Sequence, residues 1–234
     1  KHTKSQTQID SGKLLQFKLD QASSQHIIGL LVSAYAKPQF SGLREVLQNA
    51  LDAAPGKTVR VTMPTAANPL LVVRDEGPGL DGQGFVDMIG SVGASDKRDD
   101  KTKAGCLGIG SLAPMCFAES MTMTSYRGGT MTVAHIYKED DGRLGYTVAD
   151  PVPCPRSEPD GMEVSVPVPP DMHEALADGL EVFRFSPAIC RRLVVDGSPM
   201  VPNHVVLEDS VKVGAHDVVF RVMEGQTEVL QGAL

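Results

Sequence analysis

Leu43-Arg-Glu-Val-Leu-Gln-Asn-Ala-Leu-Asp-Ala-Ala54 is the stretch that decides how this chain is read. Leu43, Val46, Leu47, Ala50, Leu51 and Ala54 recur at helical spacing and form one apolar stripe. Glu45, Asn49 and Asp52 follow each other at four and then three residues, so on a helix they share an arc of roughly 60° on the other side. An acid and an amide held one turn apart by a buried helix can orient a water and a metal ion together. A solvated outer face has the same pattern, so the helix by itself leaves both readings open.

Two glycine-rich segments shift the balance. Leu70-Leu-Val-Val-Arg-Asp-Glu-Gly-Pro-Gly79 is a short apolar strand that runs into Asp75-x-Gly77-x-Gly79. Gly105-Cys-Leu-Gly-Ile-Gly110 then opens the apolar stretch Ser111-Leu-Ala-Pro-Met-Cys-Phe117. Taken singly, each is ordinary turn or loop chemistry. Their order is what counts: Glu-x-x-x-Asn-x-x-Asp, then Asp-x-Gly-x-Gly, then Gly-x-x-Gly-x-Gly.

That ordered set resembles the ATP-binding fold shared by gyrase-type topoisomerases, Hsp90 chaperones, sensor histidine kinases and the mismatch-repair MutL proteins, the GHKL superfamily. The resemblance covers most of residues 40–168. Within the superfamily, Gly105–Phe117, Met121-Thr-Met-Thr-Ser-Tyr-Arg127 and Gly161-Met-Glu-Val-Ser-Val-Pro-Val168 are similar to segments of the phage rapid-lysis rIIA proteins. The fold this implies is an α+β sandwich of the Bergerat type, with helices on one face of a mixed, mostly antiparallel sheet.

Bulk properties agree with a globular chain. Its 234 residues suffice for one good core, or one core and the beginning of a second. Hydrophobic residues make up 41% and aromatics 5%, and there is no tryptophan. A net charge of −7 argues against a surface built mainly for nucleic-acid phosphates. Cys106, Cys116, Cys154 and Cys190 lie far apart without C-x-x-C spacing, which reads as thiols in a reducing compartment. The longest apolar run, Ile27–Ala36, is too short and interrupted to cross a membrane, and no signal peptide is visible. A cytoplasmic location is the expectation.

Along the chain, residues 1–12 read as a polar arm and Lys13–Leu19 as an edge strand. A helix is expected over 22–36, and Ser41 is the expected N-cap of the Leu43–Ala54 helix. Strands follow at Thr58–Met63 and Leu70–Arg74. Residues 82–103 read as a lid, with a short helix around Phe85–Gly90 and a charged second half. Further strands fall at Met121–Tyr126, Thr130–Tyr137, Leu144–Val148 and Met162–Val168, with Asp140-Asp-Gly142 as a hairpin turn. A helix is expected over 171–185. The ATP-binding domain is thus set at 13–185. Residues 186–234, with strands at Leu193–Val195, Val205–Leu207 and Val218–Val222, read as the start of a strand-rich, transducer-like domain.

The resemblance also implies roles. Glu45 is the general base that orients and deprotonates the attacking water. Asn49 is the Mg²⁺ ligand, one amide oxygen completing a shell of phosphate oxygens and waters. Asp52 holds an ordered water near the nucleotide. Asp75 accepts a hydrogen bond from the exocyclic amine of adenine, and so selects against guanine. Gly77 and Gly79 let the backbone approach the base. Gly105, Gly108, Ile109 and Gly110 present backbone N–H groups, followed by a helix N-terminus, to the phosphates. Lys97, with Lys101 and Lys103, can neutralise phosphate from the lid. A Rossmann or Walker reading of the glycines fails, because neither a βαβ opening nor Gly-Lys-Ser/Thr is present.

Two departures from the pattern stand out. Gly161 is followed by Met162 where many relatives carry Thr, and the transducer lysine of several relatives has no counterpart that can be placed. The expected function is an ATP-binding, slowly hydrolysing conformational switch with ATP and Mg²⁺ as ligands, and ATP-dependent homodimerisation as an accompanying possibility. The rival readings are a DNA-handling ATPase of the gyrase, MutL or MORC kind, an interaction module without turnover, and a sensor kinase. His26 lacks the setting a phosphoacceptor needs, which tells against the last.

Overall fold

A computed structural model describes residues 38–90 and 110–203, together with the backbone of strands at Leu14–Lys18, Ser210–Val213, His216–Met223 and Gln226–Leu230. Its centre is α1, Pro38–Ala53. The apolar stripe of this helix is buried throughout, with Leu43 and Leu47 at 0% exposure. The helix opens at Pro38, three residues before the expected N-cap. Proline pre-sets the helical φ and its missing N–H costs nothing in a first turn. Ser41 is therefore an interior, buried helix residue, not the cap.

Ten strands form the main sheet: β1 (Leu14–Lys18), β2 (Val59–Thr62), β3 (Leu70–Arg74), β4 (Ser120–Arg127), β5 (Thr130–Lys138), β6 (Leu144–Ala149), β7 (Val152–Pro153), β8 (Gly161–Pro167), β9 (Leu193–Val195) and β10 (Ser198–Pro199). Their spatial order is β1-β6-β5-β4-β8-β3-β2-β9-β10, with β7 paired to β5. Every pairing is antiparallel except β2 with β9. The fold is α+β with a mixed sheet, as the sequence implies.

Register puts one residue from each of six neighbouring strands on a single row that faces the core. Val61 faces Val73, Val73 faces Val164, Val164 faces Met123, Met123 faces Ala134 and Ala134 faces Val148. All six belong to or pack against one core. Alternation sends their neighbours Arg60, Thr124, His135 and Thr147 to the other face. Two glycines with φ 59° and 79°, Gly128 and Gly129, turn β4 into β5, the geometry a two-residue hairpin demands. Gly142, with φ 79°, serves the β5–β6 turn.

The other α-helices among the described residues are α2 (Gly82–Gly90), α3 (His173–Glu181) and α4 (Pro187–Cys190). The carboxylate of Asp81 caps α2, accepting from the Gly84 N–H at 2.7 Å, which starts that helix earlier than expected. Phe85, fully buried, anchors it. α3 lies against α1, where Gly179 makes room for the Phe40 ring; a β-carbon there would sit 2.7 Å from it.

One boundary differs from expectation. Leu193–Val195, assigned from sequence to a second unit, is β9 of the main sheet, with Leu193 beside Val59 and Val195 beside Val61. Burial of Leu193 and Val59 explains the choice. Arg192 strengthens the link, donating from Nη2 to Leu51 O at 2.8 Å and Ala54 O at 2.6 Å, at the C-terminal end of α1. β11 (Ser210–Val213), β12 (His216–Met223) and β13 (Gln226–Leu230) form a separate antiparallel sheet. The expected helix over 22–36, the charged half of the lid and the strand at Val205–Leu207 lie outside the described residues.

Candidate functional site

The polar arc of α1 forms one wall of the candidate site. Glu45 is half-buried, and Asn49 and Asp52 are exposed. The Glu45 carboxylate is held from one side by Arg44, whose Nη2 donates to Oε1 at 3.1 Å. Its other oxygen faces Gly110. A β-carbon at Gly110 would lie 3.0 Å from Glu45 Oε2 and 4.0 Å from Asn49 Nδ2. The last glycine of Gly-x-x-Gly-x-Gly is thus brought against the acid and the amide together. Asp52 is one turn further along, its Oδ1 accepting from Gln48 Nε2 at 2.8 Å.

Gly105, Gly108, Ile109 and Lys97 lie outside the described residues. Beyond Gly110 the chain forms a tight 3-10 helix, Gly110–Cys116, where an ordinary helix was expected. Pro114 inside it has no N–H to close the α-helical bond to Gly110. Leu112, Ala113, Pro114 and Met115 are buried, and Phe117 fills the space left by Gly42 of α1. This packing fixes Gly110 against α1.

Asp75 lies at the other end of the same helix. Its side chain is 4% exposed, at the end of β3. Two backbone donors converge on Oδ1: Gly77 N–H at 2.7 Å and Met162 N–H at 3.2 Å. Burial pushes the carboxyl above its ordinary value, against the opposing pull of those two N–H groups and of Arg74. Gly77 backs onto α1, since a β-carbon there would come 2.7 Å from Ala53 O. Gly79, with φ 63°, presses on Tyr126 O, which a β-carbon would meet at 2.4 Å. Only glycine fits these two positions.

Several contributors were missed in the sequence. The Glu76 carboxylate pairs with Arg60, and Lys57 Nζ donates to Glu76 O at 2.9 Å, so β2 holds the Asp-x-Gly turn from one side. The buried Ser125 hydroxyl accepts from Leu80 N–H at 2.6 Å and holds the end of that turn. Met121, Met123 and Ser125 share the inward phase of β4, and a serine in an inward position was the available signal. Arg74 is buried next to Asp75, and nothing in its local sequence announces that.

Glu45 and Ala53 are eight residues apart on α1, which separates the Gly110 contact and the Gly77 contact by about 12 Å along the helix axis. Among the described residues, no group of three or more His, Cys, Asp or Glu could hold a metal ion. The donors at the Glu45 turn are one carboxylate and one amide, oxygen ligands that suit Mg²⁺ completed by phosphate and water.

Fold and site together define a helix-on-sheet sandwich with one carboxylate against Gly110 and a second, buried one at a strand end. Residues 38–150 match the family model described as histidine kinase-, DNA gyrase B-, and HSP90-like ATPase. Over these residues the chain is similar to that ATPase superfamily. The match spans α1, the Asp75 turn and Gly110; Gly161, Met162 and β9 follow it. No curated protein matches the sequence. Among the described residues, no helix is long and apolar enough to cross a membrane.

Proposed function

We propose that this chain binds ATP with Mg²⁺ along α1 and acts as a slowly hydrolysing conformational switch. The observation that carries the reading is the pairing of two turns on one helix: Gly110 against Glu45 and Asn49, and Gly77 against Ala53 beside the buried Asp75. Asp75 takes the exocyclic amine of adenine, because Gly77 and Met162 already satisfy Oδ1 and fix the plane of the carboxylate. Asn49 supplies an oxygen to Mg²⁺, which when bound neutralises phosphate charge. Glu45 holds the attacking water and takes its proton; Arg44 restrains the side chain in that task. Asp52, Lys97, Gly105, Gly108 and Ile109 retain the nucleotide-binding roles the resemblance implies.

The finer reading is an rIIA-like phage protein acting in the host cytoplasm on defence or lysis timing, with ATP-dependent self-association. The segments Gly105–Phe117, Met121–Arg127 and Gly161–Val168 support it. The acidic net charge of −7 favours the switch over a DNA-handling ATPase. A nucleotide screen by thermal shift tests the central claim. ATP and ADP with Mg²⁺ should raise the melting temperature and GTP should not, since a ligand that binds only the folded state stabilises it. Equal shifts with ATP and GTP would sink it.

A further inference from the structure

Arg74 is 8% exposed, and a buried guanidinium is tolerated only when its donors are matched. Here they are. Nη1 donates to Asp75 O at 2.7 Å. Nη2 donates to Pro159 O at 2.7 Å and to Glu158 Oε1 at 3.3 Å. The guanidinium carbon lies 4.4 Å from the centre of the Tyr126 ring, a cation–π contact. Gly161 completes the enclosure: a β-carbon there would stand 2.1 Å from Asp75 O and 2.5 Å from Arg74 Nη1.

These contacts join the segments that shape Asp75. Pro159 belongs to the turn leading to Met162, whose N–H donates to Asp75 Oδ1. Tyr126 supplies the carbonyl against which Gly79 packs. Asp75 O lies on the residue itself. A guanidinium is a rigid, planar fork, so three fixed acceptors and a ring define one position for it, and it defines theirs in return. A lysine ammonium could satisfy any one of these acceptors but not hold the set.

We infer that Arg74 is a specificity-positioning residue, one that sets how Asp75 presents its carboxylate and thereby selects 6-amino over 6-oxo purines. This rests on the reading of Asp75 as the adenine acceptor. The partners of Arg74 are Asp75 O, Glu158, Pro159 and the Tyr126 ring, so it acts through Asp75 and the Glu158–Met162 turn.

The test compares ATP with ITP, whose base carries an oxygen in place of the amine, by calorimetric titration of the full chain with Mg²⁺. The unaltered chain should prefer ATP by about a hundredfold or more, as a site built on a buried acceptor does. Arg74→Met should cut that preference by about tenfold while ITP affinity changes little, because the phosphate and ribose contacts remain. Arg74→Lys should fail to restore it. Parallel loss of both affinities would reduce Arg74 to a structural role, and an unchanged preference would remove its role in selection; either overturns the inference. Should Arg74→Met not fold, Glu158→Ala removes the acceptor that meets Arg74 Nη2 at a partly exposed position, and a preference unchanged in that variant counts equally against the inference. An unaltered chain that binds ATP and ITP alike strikes instead at Asp75, a failure distinguishable because it needs no variant.

Discussion

Asp75 and Met162 bind each other twice: Asp75 N–H donates to Met162 O at 2.9 Å, and Met162 N–H donates to Asp75 Oδ1 at 3.2 Å. The first bond continues the β3–β8 ladder one step beyond Arg74 and Glu163. The second draws on a backbone donor at the position where many relatives carry a threonine hydroxyl. A methionine therefore suffices here, because its N–H and not its side chain meets the carboxylate.

That relationship gives a pH signature. Burial is the largest influence on the Asp75 carboxyl and raises it above 3.8. For an acid raised in the folded state, the native chain holds the proton more tightly, so its contribution to stability is complete below the unfolded value and lost as pH rises through the folded one. Asp75→Asn removes that loss, since the amide oxygen can still accept from Gly77 and Met162. The variant's ligand-free melting temperature at pH 7 should equal or exceed that of the parent, and the difference should shrink toward acid pH. ATP affinity should behave in the opposite sense, falling in the parent as pH drops through the raised value and remaining low in Asp75→Asn at every pH. Thermal melts and titrations from pH 4 to 8 check both, and a variant that binds ATP like the parent refutes the assignment.

Glu45→Gln should bind ATP within about threefold of the parent and lose turnover by a factor of about 10² to 10⁴, the usual contribution of a general base. Phosphate release under saturating ATP reads the second quantity and titration the first. Unaltered release in a variant that binds normally would assign the base elsewhere.

The glycines separate into those that touch something and those that do not. Gly79→Ala combines positive φ with a β-carbon 2.4 Å from Tyr126 O, and backbone cannot move aside as a flexible side chain does. Its cost should be about 2–5 kcal/mol. Gly56 also has positive φ, at 75°, but opens onto free space, so Gly56→Ala should cost about 1–2 kcal/mol from strain alone. Gly110→Ala comes close only to side-chain ends, Glu45 Oε2 at 3.0 Å and Asn49 Nδ2 at 4.0 Å. It should leave the melting temperature nearly unchanged while lowering ATP turnover. Denaturant titrations of the three variants, with a turnover assay on the last, distinguish packing from site geometry; equal destabilisation at Gly56 and Gly79 would refute the steric account.

What was legible in the sequence follows the range of the forces involved. The α1 stripe and the β3, β4, β5 and β6 strands repeat with the period of their own element, so Leu47, Val73 and Ile136 announce their burial locally. Asp75, Asn49 and Glu45 were legible as an ordered motif. Ser41 misled because capping residues and buried helix serines look alike, and Pro38 was the stronger start signal. Arg74 could not be read, because its partners Glu158 and Pro159 lie 84 and 85 residues away. The place of β9 beside β2 could not be read for the same reason: a three-residue strand carries no period, and β3 to β8 come between the two partners in the sequence.

Arg192 ties the chain just before β9 to the end of α1. Its two bonds to Leu51 O and Ala54 O, and a third from Nε to Lys57 O at 3.0 Å, satisfy carbonyls at the end of α1 and in the turn behind it. Gly77 packs against Ala53 O within the same stretch, so the cap and the Asp75 turn share one helix end. Arg192→Ala should lower stability by about 1.5–3 kcal/mol, the usual loss for hydrogen bonds from a charged donor. It should also weaken ATP binding, because the support of Gly77 loosens with the helix end. Removing everything after residue 185, the boundary the sequence suggested, discards both Arg192 and the β2–β9 pairing and leaves Val59 without its buried neighbour Leu193. A chain ending at 185 should therefore melt far below one ending at 203, and without a sharp transition. Coincident melting curves for the two would return β9 to a separate unit and make the Arg192 cap an incidental contact.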